Sequence, residues 1–194
     1  MQGFMPQPNV LDDELADTEL IRRVAARDRE AFEILYKRYG PRVCRYLSSQ
    51  LRQRELIEEA LDDVMMVVWE TASRFNGKCK VSTWILGIAY NKALKARARA
   101  VTVHGDLPEP SPAEFETNSL DVYYERRELT DVIMRALDTL SPEQRAVVEL
   151  TYYHDLSYAE IAEILKCPVN TVKTRMLHAR RRLALLFPTN PSTN

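Results

Sequence analysis

The sequence predicts an all-α protein built as two small helical domains joined by a flexible acidic linker. Three observations carry that expectation. Apolar residues recur at steps of three and four along most of the chain, the spacing of one helix face. Only five glycines occur in 194 residues, and alternating strand-like runs are scarce. The periodicity lapses at 101–119 into Pro, Ser, Asp and Glu, a composition that cannot bury a core and reads as linker. The expected organisation is a disordered tail at 1–14, a first domain at 15–100, the linker at 101–119, a second domain at 120–187 and a frayed tail at 188–194. With 45% hydrophobic residues, the chain can bury one sizeable core or two small ones.

Leu15, Leu20, Ile21 and Val24 begin the first helical pattern, which pauses at 26–28. Asp28 can cap the next helix, whose Phe32, Leu35, Tyr36 and Tyr39 share a face before Gly40-Pro41 ends it. A third helix from Pro41 turns Val43, Leu47 and Leu51 inward, and all three read as scaffold. A helix from about 56 to 73 buries Leu61, Val64, Met65, Val68 and Ala72. Its other side mixes Glu59, Asp63 and Glu70 with Met66 and Val67, which fits a docking surface for a partner protein carrying basic groups. Packing of Met66 and Val67 against a neighbouring helix fits the pattern equally. An enzyme reading would pair Glu58, Glu59, Asp62 and Asp63 as acid and base or as metal ligands. Adjacent carboxylates point in different directions around a helix and no histidine accompanies them, so no catalytic residue, metal or cofactor is expected.

After a loop at 75–81 containing Asn76-Gly77, Ser82 or Thr83 can cap a helix with two faces. Ile85, Leu86, Ala89, Ala93 and Ala96 suit a core. Trp84, Ile88, Asn91 and Lys95 align on the other side with Lys92 and Arg99 at its margins, a platform on which unstacked bases of a single strand can stack, hydrogen-bond and pair their phosphates. A core tryptophan is the plain alternative, and the basic tail of the helix argues for the platform.

Periodicity resumes at Leu120 and is clear in Leu129, Val132, Ile133, Ala136, Leu137 and Leu140. Ser141-Pro142-Glu143-Gln144 caps a helix through Val147, Val148 and Leu150. Ser157 with Glu160 is a second capping box, opening a helix whose apolar side is Ile161, Ala162, Ile164 and Leu165. Lys166-Cys167-Pro168-Val169 breaks it, and Asn170 or Thr171 can cap the next. There Val172, Met176, Ala179, Leu183 and Leu186 form a buried stripe. Lys173, Thr174, Leu177, His178 and Arg181 point outward, flanked by Arg175, Arg180 and Arg182 with no acidic residue among them. Two short helices across a tight turn, the second apolar on one side and basic on the other, make the pattern of a helix-turn-helix that reads the DNA major groove. The cations would neutralise phosphates, while Thr174, Leu177 and His178 suit base edges and thymine methyls.

The net charge of -1 hides segregation, since 106–131 is rich in Asp and Glu while the last helix is basic. Cys44, Cys79 and Cys167 form no CxxC pair, and His104, His154 and His178 are dispersed, so neither a disulfide framework nor a zinc site is indicated. No apolar run approaches the roughly 18 residues that span a bilayer, and no signal-like start is present. A cytoplasmic protein without membrane insertion is expected.

Two sets of residues resemble one family, the sigma-70 family of bacterial RNA polymerase initiation factors and within it the small extracytoplasmic-function (ECF) group. RDREAFEILYKRYG, IEEALDDVMMVVWE and VSTWILGIAYNKAL are similar to successive parts of its region 2. LSPEQRAVVELTYYHDLSYAEIAEILKCPVNTVKTRMLHARRRL is similar to its region 4, and together they cover about 17–186. The resemblance implies that Glu59, Asp62, Asp63 and Met66 dock on the clamp helices of core RNA polymerase. It implies that Ser82, Thr83, Trp84, Ile88 and Asn91, with the basic residues Lys92, Lys95 and Arg99, meet the melted non-template strand at the minus-ten element. It further implies that Thr171, Lys173, Thr174, Arg175, Leu177, His178 and Arg181 read the minus-thirty-five element as duplex, and that an anti-sigma protein is a partner. The chain departs from the family where Lys166 and Asn170 replace frequent glycines, and where Asp62 and Met65 replace a frequent glutamine and phenylalanine. A response-regulator type of helix-turn-helix regulator is the alternative function, and a helical adaptor that binds only proteins is a third.

Overall fold

The computed structural model describes residues 10–51, 53–104, 132–133 and 135–186. Its helices are α1 (Val10–Ala25), α2 (Arg29–Gln50), α3 (Arg54–Thr71), α4 (Val81–His104), α5 (Pro142–Tyr152), α6 (Tyr158–Leu165) and α7 (Val169–Leu186), with a 3-10 turn at Ala72–Arg74. No strand occurs among the described residues, so the all-α class holds. Expectations that fall on 1–9, 105–131 and 187–194 lie outside the described residues.

Local sequence sets three of the helix starts among the described residues. The Asp28 carboxylate accepts from the Ala31 N–H at 3.1 Å and pairs with Arg23 at 2.7 Å, opening α2. Ser141 and Ser157 open α5 and α6 with reciprocal capping boxes to Gln144 and Glu160. Three boundaries differ from the sequence expectation. α1 begins at Val10, inside the segment expected as tail, and Leu15 is largely exposed. α4 begins at Val81, so Ser82 and Thr83 lie in its first turn rather than capping it, and it continues to His104 through the first residues of the expected linker.

The third difference is that Gly40-Pro41 does not end a helix: α2 runs unbroken through both. Leu35, Tyr39, Val43, Tyr46 and Leu47 lie on one buried face on both sides of the proline. Burying side chains of this size contributes roughly 1.5–3 kcal/mol each, which outweighs the roughly 3 kcal/mol cost of an interior proline. A Cβ at Gly40 would stand 3.3 Å from the Tyr36 ring, so a larger residue there would displace the ring by a few tenths of an ångström.

The first half consists of α1 to α4 and the second of α5 to α7, and the two share a single hydrophobic core. Their seam has two lines of contact, α2 against α5 and α4 against α6. At the first, Glu149 is 1% exposed and accepts from Ser49 Oγ, from Gln50 Nε2 at 2.6 Å and from Arg145 Nε at 3.0 Å. Arg145 in turn donates to Asp138 at 2.6 Å. Burial pushes the Glu149 carboxyl upward, with Arg145, Ser49 and Gln50 pulling against it. Nearby, Arg42 donates to the His154 carbonyl at 2.7 Å and to its Nδ1 at 3.4 Å, and the His154 ring meets Tyr46 edge-on. The buried Tyr46 hydroxyl has no hydrogen-bond partner among the described residues, an arrangement that costs about 1–3 kcal/mol.

His154 is held neutral. Burial, then Arg42 and Arg45, lower its pKa to about 4. Because the folded value lies below the unfolded one near 6.5, its contribution is intact above that pH and is lost as pH falls towards 4, by at most roughly 3 kcal/mol. His154→Phe keeps a ring against Tyr46 without the titration. The unfolding free energy of this variant, measured in urea, is expected to drop less between pH 7 and pH 4.5 than that of the wild type; equal drops would refute the assignment.

Candidate nucleic-acid and polymerase surfaces

α7 is fixed from one side. Val172, Met176 and Ala179 are buried and Leu183 is half-buried, as the stripe predicts, whereas Leu186 at the end is exposed. Opposite them Lys173, Thr174, Leu177, His178 and Arg181 are all exposed. The Thr174 hydroxyl donates back to the Asn170 carbonyl at 2.9 Å, which presents its methyl and oxygen in one orientation. Thr171 is half-buried in the first turn, and neither it nor Asn170 caps the helix, which opens one residue after Pro168. Arg175 is half-buried and lies 3.7 Å from Cys167 Sγ, turned back towards the turn instead of out with the other cations. Arg180 is engaged by Tyr152, whose hydroxyl accepts from it at 2.8 Å.

The turn that aims α7 depends on Lys166. Its φ of 49° places it in the left-handed region, and both its own N–H and that of Cys167 return to the Ala162 carbonyl. A positive backbone angle, which glycine adopts freely, therefore falls here on a lysine. A β-carbon in that region costs about 1–2 kcal/mol.

On α4, Ile85, Leu86, Ala89 and Ala93 are buried and Ala96 is half-buried, as expected of the core face. Asn91, Lys95 and Arg99 are exposed, and Ile88, Lys92 and Ser82 are half-buried. Trp84 is half-buried with its ring 5.5 Å from that of Phe75. Thr83 departs from the set: it is 1% exposed and its hydroxyl lies 3.4 Å from the Glu160 carboxylate of α6. Burial would raise the Glu160 carboxyl, but donation from Ser157 together with Lys80 and Thr83 holds it below the usual range.

α3 lies alongside α4. Glu59, Asp62, Asp63 and Met66 are all exposed, Met66 at 55%, while Val67 is half-buried. Met66 thus faces outward rather than packing on a neighbouring helix. Two of the carboxylates are already paired with α4, Asp63 with Lys92 at 2.7 Å and Glu59 with Arg99 at 2.9 Å. Next to Met66 an apolar groove is formed by Phe32, Tyr36, Met65 and Trp69, with Asp62 at its edge. Arg27 stacks over Trp69 at 5.3 Å and donates to its carbonyl. Sequence reasoning missed this aromatic groove because its members lie on two helices, and Phe32 and Tyr36 by themselves read as scaffold. It also missed the Glu149 network, although a charged pair at 145 and 149 inside an apolar stripe was a visible signal. Among the described residues no cluster of His, Cys, Asp and Glu could hold a metal ion, and no helix is long and apolar enough to cross a membrane.

A helix-turn-helix with an exposed cationic helix, carried on a core that also presents a tryptophan-bearing basic helix and an acidic-apolar face, has the architecture of a DNA-binding protein. The family profile described as Sigma-70 region 2 matches residues 35–102, and that described as Sigma-70, region 4 matches 130–183. The chain is 30% identical over 171 residues to the ECF RNA polymerase sigma factor SigK of Mycobacterium sp. (strain JLS), covering 84% of this chain and 86% of that one. It is 26% identical over 182 residues to the ECF RNA polymerase sigma-E factor of Escherichia coli (strain K12), covering 89% and 95%. Among solved structures, RpoE of Bartonella quintana in complex with the anti-sigma factor NepR aligns at a TM-score of 0.64 with 25% identity, covering 82% of this chain and 98% of that one. CnrH in complex with the cytosolic domain of CnrY shares the fold at a TM-score of 0.68 with 22% identity, covering 89% and 97%. The chain belongs to the ECF group of the sigma-70 family. It is an alternative sigma factor that directs RNA polymerase to promoters, and the response-regulator reading is not favoured, since the matches extend through both halves.

Replacing Lys166 by glycine removes the β-carbon penalty while adding chain entropy to the unfolded state. Lys166→Gly is expected to raise the unfolding free energy by about 0.5–1 kcal/mol in chemical denaturation. A destabilised variant would show that the lysine is not strained.

Proposed function

We propose that the chain acts through three surfaces. The α3 face, with Met66 and the adjoining aromatic groove as its apolar centre and Glu59, Asp62 and Asp63 as its rim, binds core RNA polymerase at a site carrying basic residues. The outward side of α4, from Ser82 through Trp84, Ile88 and Asn91 to Lys92, Lys95 and Arg99, holds the melted non-template strand of the minus-ten element, while the buried Thr83 supports it from behind. α7 reads the minus-thirty-five duplex through Thr174, Leu177 and His178, with Lys173 and Arg181 on phosphates and Thr171 and Arg175 supporting its docked end. The observation that carries this reading is the outward strip of α7, wholly exposed, cationic and free of carboxylates, opposite a fully apolar buried stripe.

No catalytic group or cofactor enters this account: binding unstacked bases better than paired ones is sufficient to favour an open promoter. The protein works in the cytoplasm, where the polymerase is. An anti-sigma protein is a further partner, as NepR is for the RpoE of Bartonella quintana.

Lys173→Ala is expected to weaken promoter binding by the holoenzyme similarly for all sequences and to reduce the salt slope of log K by about 1, whereas His178→Ala relaxes base choice by about 1–3 kcal/mol at one minus-thirty-five position. Unaltered selection among minus-thirty-five variants in His178→Ala would refute the duplex assignment. Met66→Asp, at an exposed position that folding tolerates, is expected to lower affinity for core polymerase about tenfold, or about 1.4 kcal/mol, in fluorescence titration. Unchanged affinity would remove α3 from the docking surface.

A further inference from the structure

The two flanks of α7 are unlike. A helix with its side chains is about 10–12 Å across and the major groove about 12 Å wide, so a helix that reads base edges brings each flank against a wall of phosphates. On one flank Arg175 is half-buried and turned back towards Cys167, while Arg182 is exposed. On the other, Lys173, Leu177 and Arg180 are all exposed. Their spacing of four and then three places them in one row along that wall. Lys173 and Arg180 lie two turns apart, about 10 Å, and therefore meet different phosphates.

Arg180 keeps its charge available. Arg22, Arg54, Arg99 and Arg145 are each paired with a carboxylate, which offsets their charge. Arg180 instead donates from Nη2 to the hydroxyl of Tyr152, the last residue of α5, at 2.8 Å. Its guanidinium stands 6.0 Å from the centre of the same ring. Among the described residues no carboxylate pairs with it. A neutral acceptor fixes the guanidinium without neutralising it and leaves most of its N–H groups for an anion. Stability does not call for the pair. Val172, Met176 and Ala179 already bury the inner side of α7, and a contact at an exposed edge, where Tyr152 is 57% exposed, adds little.

We infer that Tyr152 and Arg180 form a phosphate site on the flank of α7: Arg180 binds a backbone phosphate of the minus-thirty-five duplex, and Tyr152 is the positioning residue that holds its guanidinium at the groove wall. This inference rests on the duplex-reading role proposed for α7. It extends the DNA interface to the end of α5, a helix otherwise buried as support. An unrestrained arginine loses rotamer freedom when it meets a phosphate, and one already held loses less, so the Tyr152 hydroxyl raises affinity through Arg180. A phosphate contact carries no sequence information, so this site strengthens binding without changing base choice.

The test is promoter binding by holoenzyme, assembled from the full chain and core RNA polymerase, measured against salt on a set of minus-thirty-five variants. Arg180→Ala is expected to weaken binding to every variant alike and to lower the salt slope of log K by about 1, the effect of one phosphate contact. Arg180→Gln keeps length and hydrogen bonding without the charge, and is expected to lose the same slope. Tyr152→Phe keeps the ring and removes the hydroxyl; it is expected to weaken binding about threefold alone and to have no effect in the Arg180→Ala background. Both positions are exposed, so circular dichroism of each variant is expected to match the wild type. A wild-type slope in both Arg180 variants overturns the phosphate site. An equal effect of Tyr152→Phe in both backgrounds overturns the positioning role. Lys173→Ala separates the two levels: a lowered slope there beside unchanged Arg180 variants refutes only the Tyr152–Arg180 site, whereas unchanged slopes in all three refute the duplex-reading role of α7 and this site with it.

Discussion

A single buried carboxylate decides how this protein is put together. Glu149 sits in the seam with four groups around it, two from α2 and two from its own half, counting Asp138 through Arg145. A charge in such a place is tolerated only while its lone pairs are occupied; an apolar residue of the same volume would hold the halves at least as firmly. Choosing a carboxylate makes the joint dependent on partners and therefore conditional. His154 and Tyr46 beside it repeat the theme, one a base kept from its proton and the other a hydroxyl kept from water.

The cations and carboxylates of the first half follow a second economy. Lys92 and Arg99, which the nucleic-acid reading requires, are paired with Asp63 and Glu59, which the docking reading requires. Apart from the Lys92 side chain, which is about a quarter exposed, the members of these pairs are more than half exposed, and such pairs contribute at most about 1 kcal/mol each. They hold α3 and α4 in register without committing either set, since phosphates or basic side chains of a partner can replace them at little cost.

In the second half the decisive forces are local. Two capping boxes and one left-handed lysine determine where α5, α6 and α7 begin and how α6 turns into α7. Each satisfies backbone groups that would otherwise be unpaired at a helix end. α7 carries no acidic residue and is held from behind by three buried side chains, so its outward strip is set by helical periodicity alone.

Much of this was legible in the chain. Steps of three and four gave the faces of α3, α4 and α7, because a helix repeats every 3.6 residues whatever surrounds it. Caps at Asp28, Ser141 and Ser157 were readable for the same reason: their partners are three residues away. The unbroken α2, the burial of Thr83 and the groove between Phe32 and Trp69 were not. Each depends on a partner dozens of residues distant or on burial outweighing a local preference, as when packing carries a helix through Pro41. The amino-acid order by itself determined which residues share a helix face and where α2, α5 and α6 start, since those interactions close within one or two turns. Only the tertiary structure decided that the two halves share a core and that Glu149 joins them, because desolvation of a charge exists only once both sides of the seam are in place.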